Sequence, residues 1–279
     1  MLIKTAIRRV VLLSCWLALP LHAAAPEPVN KALSAAEPPQ LIWCLDHFPH
    51  FHEYDLSDTP SGPSVNIMQE LARRAGFTLH FTPRTSLARC LRLMQQGEVD
   101  LMSNLRYSKE RSAFMTLLPY SDNVAESLFM RITDQRLIDS KVQLSSLTLA
   151  TLRHFLFNPA TMALIEEESR HITQVDSIEL ALEMLLRQRI DGLVAPTIST
   201  TEAINANSSY QHRFKIAPLD FSAKAPNSVH IGIAKNSKHA ALEPLLRQHL
   251  QAMLADGSVQ RLMLTPEQYQ PLNPPKQQP

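Results

Sequence analysis

Glycine is scarce in this 279-residue chain: six residues, about 2% where an average protein has ~7%. None stands in a GxGxxG or GxxxxGK[ST] pattern, which excludes glycine-rich phosphate cradles. An excess of charge is also lacking. The 27 Lys and Arg against 26 Asp and Glu leave a net charge of +1, without the basic field that nucleic-acid binding needs. Cysteine occurs three times, too seldom for a small disulfide scaffold, and no apolar run approaches the ~20 residues that span a bilayer. What is present is 45% hydrophobic and 19% charged residues, enough apolar material for one large domain or two smaller lobes.

The amino terminus reads as a secretory signal peptide: Lys4, Arg8 and Arg9, an apolar run from Val10 to Leu21, then Ala23, Ala24 and Ala25. We place the signal at 1–23. Its removal leaves 24 basic against 26 acidic residues, a net charge of −2, and takes away Cys15. A rival reading makes Cys15 a lipidated residue, but the apolar stretch before it is short and the hydrophobic run continues past it. Cys44 and Cys90 then remain in a compartment where disulfides persist, and they are expected to pair; the alternative is two separate buried thiols.

Residues 24–39 form a Pro- and Ala-rich tether and 271–279 a Pro-rich disordered tail. Between them strand and helix patterns alternate, the signature of an α/β layered fold. Strands are expected at 41–45, 77–81, 99–102, 126–132, 147–151, 192–195 and 228–234. Helices are expected at 64–75, at 86–96 with the stripe Leu87, Cys90, Leu91, Met94, from Ser108, from Asn158, at 177–188, and as a long final helix ending near Gly257. Cys90 then faces the sheet whose first strand carries Cys44. Two similar α/β sets joined by two extended segments make a two-lobed protein with a cleft.

The order of motifs resembles the family 3 periplasmic solute-binding proteins, receptors of polar amino acid uptake. The matching residues are Trp43-Cys44-Leu45-Asp46, Gly62-Pro63, Ala75-Gly76-Phe77, Arg89-Cys90-Leu91, Gly97-Glu98-Val99-Asp100, Ser108-Lys109-Glu110-Arg111 and Pro119-Tyr120. Arg189-Ile190-Asp191-Gly192 and Ala255-Asp256-Gly257 continue the series. The resemblance implies a type II periplasmic-binding-protein fold with two hinge strands: lobe 1 at 40–130 and 229–270, lobe 2 at 131–228. It also implies a periplasmic location, a small-molecule ligand, and a membrane permease or receptor as partner. The expected chain is a monomer with no nucleic acid, cofactor or metal.

Arg111 is the foremost ligand-binding candidate. It opens a helix, and its guanidinium can grip a carboxylate with two parallel hydrogen bonds; in the family the matching arginine holds the ligand's α-carboxylate. Asn104, Arg106 and Ser108 lie on the adjoining segment, and Arg106, where the family has a small hydroxyl or backbone, suggests a second anionic group on the ligand. Asp46, Phe48 and Tyr54 follow the first strand, at the edge where open α/β sheets place ligands. Across the cleft stand Thr151, Arg153 and His154, where the family has a glycine-containing turn.

After Asp191, itself read as a structural cap, amino acid receptors carry an acid for the ligand's ammonium group; this chain has Leu193-Val194-Ala195-Pro196-Thr197. That departure puts a standard amino acid in doubt, though it stays first among several small carboxylate-bearing ligands. The cluster Asp46, His47, His50, His52, Glu53, Asp55 has metal-ligand residue types but no established zinc spacing, so it reads as a solvated loop. Two other functions compete. One is an enzyme like the cyclohexadienyl dehydratases, similar in fold, with Glu53 and His154 as candidate acid or base and with GxSxG and HExxH absent. The other is an accessory protein that senses a ligand for a membrane receptor.

Overall fold

The computed structural model describes residues 37–54, 59–122, 125–168, 172–221 and 228–263, together with Leu272. Residues 38–279 form one unit. The export signal and most of the tether lie outside the described residues.

The chain runs β1 (Gln40–Trp43), β2 (Glu53–Tyr54), β3 (Pro60–Ser61), α1 (Pro63–Ala75), β4 (Thr78–Phe81), α2 (Leu87–Gln96), β5 (Leu101–Arg106), α3 (Lys109–Phe114) and β6 (Met115–Asp122). It crosses over into β7 (Glu126–Arg131), a 3₁₀ turn at Lys141–Ser146, β8 (Leu149–Leu152), α4 (Pro159–Glu168), β9 (Ile172–Val175), α5 (Ile178–Leu186), β10 (Gly192–Pro196), α6 (Thr197–Ala206) and β11 (Phe214–Ile216). It then returns through β12 (Ser228–Ala234), α7 (Glu243–Ala255) and α8 (Ser258–Met263).

Two five-stranded sheets result, one per lobe, in the orders β4-β1-β5-β12-β6 and β11-β7-β10-β8-β9, while β2 and β3 form a small ribbon. In the first sheet β1 runs parallel to β4 and β5, and β12 is antiparallel to β5 and β6. In the second, β8, β9 and β10 are parallel and β7 is antiparallel to β10 and β11. Because β7 pairs with β10, residues 126–130 belong to the second lobe. The crossover therefore lies between β6 and β7, ahead of the boundary expected at 130.

The helices form where periodicity and caps agree. In α1, Val65, Met68, Leu71 and Ala72 are buried, and Gly76 ends the helix at φ 71° with its N–H on the Ala72 carbonyl. Ser108 accepts from the Arg111 N–H at 3.1 Å and Ser177 from the Leu180 N–H at 3.2 Å, so both are N-caps. Asn158 does the same for α4 through the Thr161 N–H, 2.8 Å away.

One face of the first sheet buries Trp43, Leu71, Leu101 and Met253, and the other Cys44, Cys90, Met94 and Met115. A disulfide joins Cys44 and Cys90, whose Cα atoms are 5.5 Å apart. In the second lobe Phe129, Leu182, Leu193 and Phe214 form one core cluster, against which Leu272 packs; the rest of 271–279 lies outside the described residues.

The strand expected at 99–102 is displaced to Leu101–Arg106. Asp100 instead ties β1 to the turn after β12: its carboxylate accepts from the Ile42 N–H at 2.6 Å and lies 3.0 Å from His239 Nδ1. Asn104 and Arg106, expected in a loop, are strand residues whose polar groups find partners: His52, Ser64 and Tyr120 of the same lobe for Asn104, and Glu126 across the cleft for Arg106.

Candidate functional site

The carboxyl ends of β1 and β5 open onto the gap between the lobes, and a cavity of about 40 Å³ lies there. Asp46, Phe48, His52, Asn104, Arg106 and Arg111 line it from the first lobe, and Phe155 and Leu156 from the second. Asp46, Phe48, Leu87 and Phe155 also border an adjoining cavity of about 290 Å³, whose further lining includes Arg84, Arg153 and Asp176.

Arg111 is 6% exposed and links the lobes. Its Nη1 donates to the Arg106 carbonyl at 3.1 Å and its Nη2 to the His154 carbonyl at 3.0 Å. Loss of water around the guanidinium lowers its pKa to about 10, so it remains a cation at neutral pH. Two of its five N–H donors serve those carbonyls.

Arg106, expected to meet a second anionic group of the ligand, is paired within the protein. Its Nη2 is 2.7 Å from Glu126 Oε1 in an ion pair that both residues bury, and its guanidinium carbon lies 6.0 Å from the Phe155 ring centre. Glu126 also accepts from the Asn158 backbone N–H and side-chain amide, both at 2.9 Å. Desolvation raises the carboxyl's pKa despite these bonds and lowers that of the arginine. The expected surplus of positive charge is thus compensated within the protein.

Deeper in the first lobe, His52 Nε2 is 2.9 Å from Asp46 Oδ1, and His52 Nδ1 is 3.2 Å from the Asn104 amide nitrogen. That nitrogen also donates to Ser64 Oγ at 2.8 Å, and the Tyr120 hydroxyl donates to Asn104 Oδ1. Asn104 holds a left-handed backbone at φ 55°, which asparagine tolerates better than most residues. Aromatic rings fill the gap from both sides: Phe48 and Phe155 lie 6.3 Å apart between ring centres, and Phe155 meets Phe157 edge-on at 4.8 Å. At the rim His47 Nε2 approaches Glu179 Oε1 to 3.8 Å; desolvation, then Arg84, lowers the His47 pKa.

Among the expected residues Asp46, Phe48, Asn104, Arg106 and Arg111 thus share one cavity. Ser108 acts as a cap outside it. The Tyr54 hydroxyl donates to the Thr82 carbonyl at 2.5 Å, anchoring the ribbon, and Tyr54 does not line the cavity. Thr151 is buried inside β8. Arg153 pairs with Asp176 at 2.7 Å on the wall of the larger cavity. His154 contributes its carbonyl rather than its exposed ring, from a left-handed turn at φ 60°.

Sequence reasoning missed His52, Phe155 and Glu126 as cleft residues. His52 was hidden in a loop rich in His and Asp, and the buried glutamate opening β7 was the one available signal for Glu126. Asp191 caps the turn into β10's sheet, accepting from the Thr148 N–H at 2.9 Å and from Arg136 at 2.7 Å. Among the described residues no group of three or more His, Cys, Asp or Glu could hold a metal ion, and no helix is long and apolar enough to cross a membrane. Asp55 lies outside the described residues.

Residues 41–265 match the sequence model for bacterial extracellular solute-binding proteins, family 3. A search of curated proteins finds no match. Among solved structures the chain resembles an ancestral arginine-binding protein bound to arginine, with a TM-score of 0.68 and 16% identity over 81% of this chain and 97% of that one. It also resembles an amino acid ABC transporter substrate-binding protein from Streptococcus pneumoniae bound to L-arginine, with a TM-score of 0.66 and 18% identity over 80% and 92% of the two chains. A histidine kinase sensor domain similar to periplasmic binding proteins gives a TM-score of 0.68 and 15% identity over 81% and 95%. At these identities the likeness concerns the fold, an α/β fold of two lobes.

Proposed function

Because the chain belongs to the bacterial extracellular solute-binding proteins of family 3, we propose that it is a non-catalytic periplasmic receptor closing its lobes over a small carboxylate-bearing solute of the amino acid class. The observation that carries this reading is Arg111: a buried guanidinium, bridging the lobes through the His154 carbonyl and lining the cleft cavity. A ligand carboxylate would meet donors already desolvated and oriented, which strengthens each hydrogen bond. The lobe segments are 40–125 with 228–263, and 126–221, with hinge crossings after β6 and before β12.

The second charge of an amino acid needs an acceptor, and lobe 2 supplies none at Ala195–Thr197. Asp46 borders both cavities and is the acid assigned to that role. A cavity of about 40 Å³ has room for a few waters at ~10–15 Å³ each but not for an amino acid. The ligand's body must therefore extend past Phe48 and Phe155 into the larger cavity or spread those rings.

The partner in this reading is an ABC-type permease. The resemblance to a kinase sensor domain favours a membrane sensor as the second reading. Calorimetry of the mature protein with the common amino acids and small organic acids tests the proposal. Binding by at least one solute, lost in Arg111→Ala, is expected; no binding across the panel, or full affinity in Arg111→Ala, refutes it. Turnover of prephenate or arogenate would convert the reading to an enzyme.

A further inference from the structure

The polar chain on the cleft floor fixes more than contacts. We infer that His52 is a positioning residue: held in a single tautomer, it fixes the Asp46 carboxylate as the acceptor for a cationic group of the ligand. The inference rests on the reading of the Arg111 cavity as the ligand site.

The order of donors begins at Tyr120. Burial raises its pKa well above the ordinary tyrosine value, so the hydroxyl keeps its proton and donates it to Asn104 Oδ1. An amide whose oxygen faces Tyr120 must turn its NH₂ the other way, and that nitrogen reaches Ser64 Oγ at 2.8 Å and His52 Nδ1 at 3.2 Å. A ring nitrogen that receives an N–H carries no hydrogen of its own. The His52 proton therefore sits on Nε2, 2.9 Å from Asp46 Oδ1, to which it donates.

The opposite arrangement fails at its last link. Turning the Asn104 amide over would make the Tyr120 oxygen an acceptor of its NH₂ and oblige the Tyr120 proton to find another partner. A hydrogen on His52 Nδ1 instead of Nε2 would leave the Nε2 lone pair facing a carboxylate. His52, Ser64 and Tyr120 are each 2% exposed or less, so a mismatch among them is costly. The left-handed backbone of Asn104 is the local strain that holds the amide in reach of all three partners.

The consequence falls on Asp46. One carboxylate oxygen is engaged by His52, which sets the side-chain rotamer, while the residue borders both cleft cavities. A carboxylate has about four acceptor sites and His52 takes one. The fitting solute carries a carboxylate for Arg111 and an ammonium or guanidinium group for Asp46, and the His52 tautomer keeps the second of these sites an acceptor.

Two measurements test this. In ¹⁵N-histidine spectra of the mature protein, the signal that vanishes in His52→Gln should show a protonated Nε2 and a bare Nδ1; a protonated Nδ1 overturns the proposal. Calorimetry with L-arginine, L-glutamine and the other common amino acids then compares two amides at position 52. Glutamine places its NH₂ near the Nε2 position, whereas asparagine reaches only the Nδ1 position. For the amino acid bound best by wild type, His52→Gln should stay within about threefold and His52→Asn should weaken binding roughly tenfold or more, as the loss of a charge-assisted bond implies. Equal losses in both variants overturn the positioning role. If wild type binds none of the panel, the ligand reading falls and the role toward ligand falls with it, while the spectra alone decide the tautomer.

Discussion

Replacing Glu126 by glutamine removes one charge from a buried pair and changes almost no volume. The pair joins the end of β5 in the first lobe to the start of β7 in the second, with side-chain exposures of 6% and 0%. Breaking such a pair from one side leaves the Arg106 cation desolvated without its counter-charge, a cost of about 3–5 kcal/mol. Of the two Asn158 bonds, the one to Oε1 would become neutral and the one to Oε2 would be lost where the new NH₂ stands, adding about 1–2 kcal/mol.

A loss of about 5 kcal/mol lowers the urea midpoint by about 2–5 M for slopes of ~1–3 kcal/mol/M. Trp43, fully buried and one of two tryptophans with Trp16, reports first-lobe unfolding by fluorescence. The double variant Arg106→Met, Glu126→Gln keeps an acceptor for Asn158 and has no unpaired charge, so it should recover most of the loss. A single variant within about 1 kcal/mol of wild type, or a double variant no better than the single, refutes the argument.

Reducing the Cys44–Cys90 bridge, or replacing Cys90 by serine, should cost about 3–4 kcal/mol from loop entropy across a separation of 46 residues, read as a fall in the urea midpoint. Gly97→Ala should lower the melting temperature by several degrees, since Gly97 holds φ 74° and an added Cβ would lie 2.4 Å from the Asn236 carbonyl oxygen. Acid should destabilise the protein through two carboxylates. Arg73 and Arg74 hold Glu70 near a pKa of about 2 from an ordinary 4.5, and Arg136 holds Asp134 near about 2 from 3.8. Their folded pKa values are depressed, so their stabilisation is complete above the ordinary values and is lost as pH falls from 4.5 towards 2. Urea midpoints across that window should fall, less steeply in Arg136→Gln.

The fold was legible where apolar periodicity and caps coincide. Val65, Met68, Leu71 and Gly76 mark α1, and Ser228–Ala234 reads as a strand from its own residues. β5 was misplaced because Asn104 and Arg106 break the apolar pattern; their partners His52, Tyr120 and Glu126 stand far off in sequence, and no local signal announces them. The same limit applies to the site. Arg111 could be found from its place behind an N-capping serine, but its link to the His154 carbonyl is a backbone contact that no side-chain motif encodes. Arg106 was read as ligand-facing because an arginine's counter-charge is visible only once β5 and β7 meet.

The contact between Arg111 and residue 154 uses an oxygen that every amino acid possesses, on a turn at φ 60°. Selection at that position therefore acts on backbone shape and not on the imidazole. Glycine, asparagine or aspartate would preserve the latch between lobes, and a β-branched residue would not. Histidine can therefore stand where a glycine turn is expected without loss of the contact between the lobes.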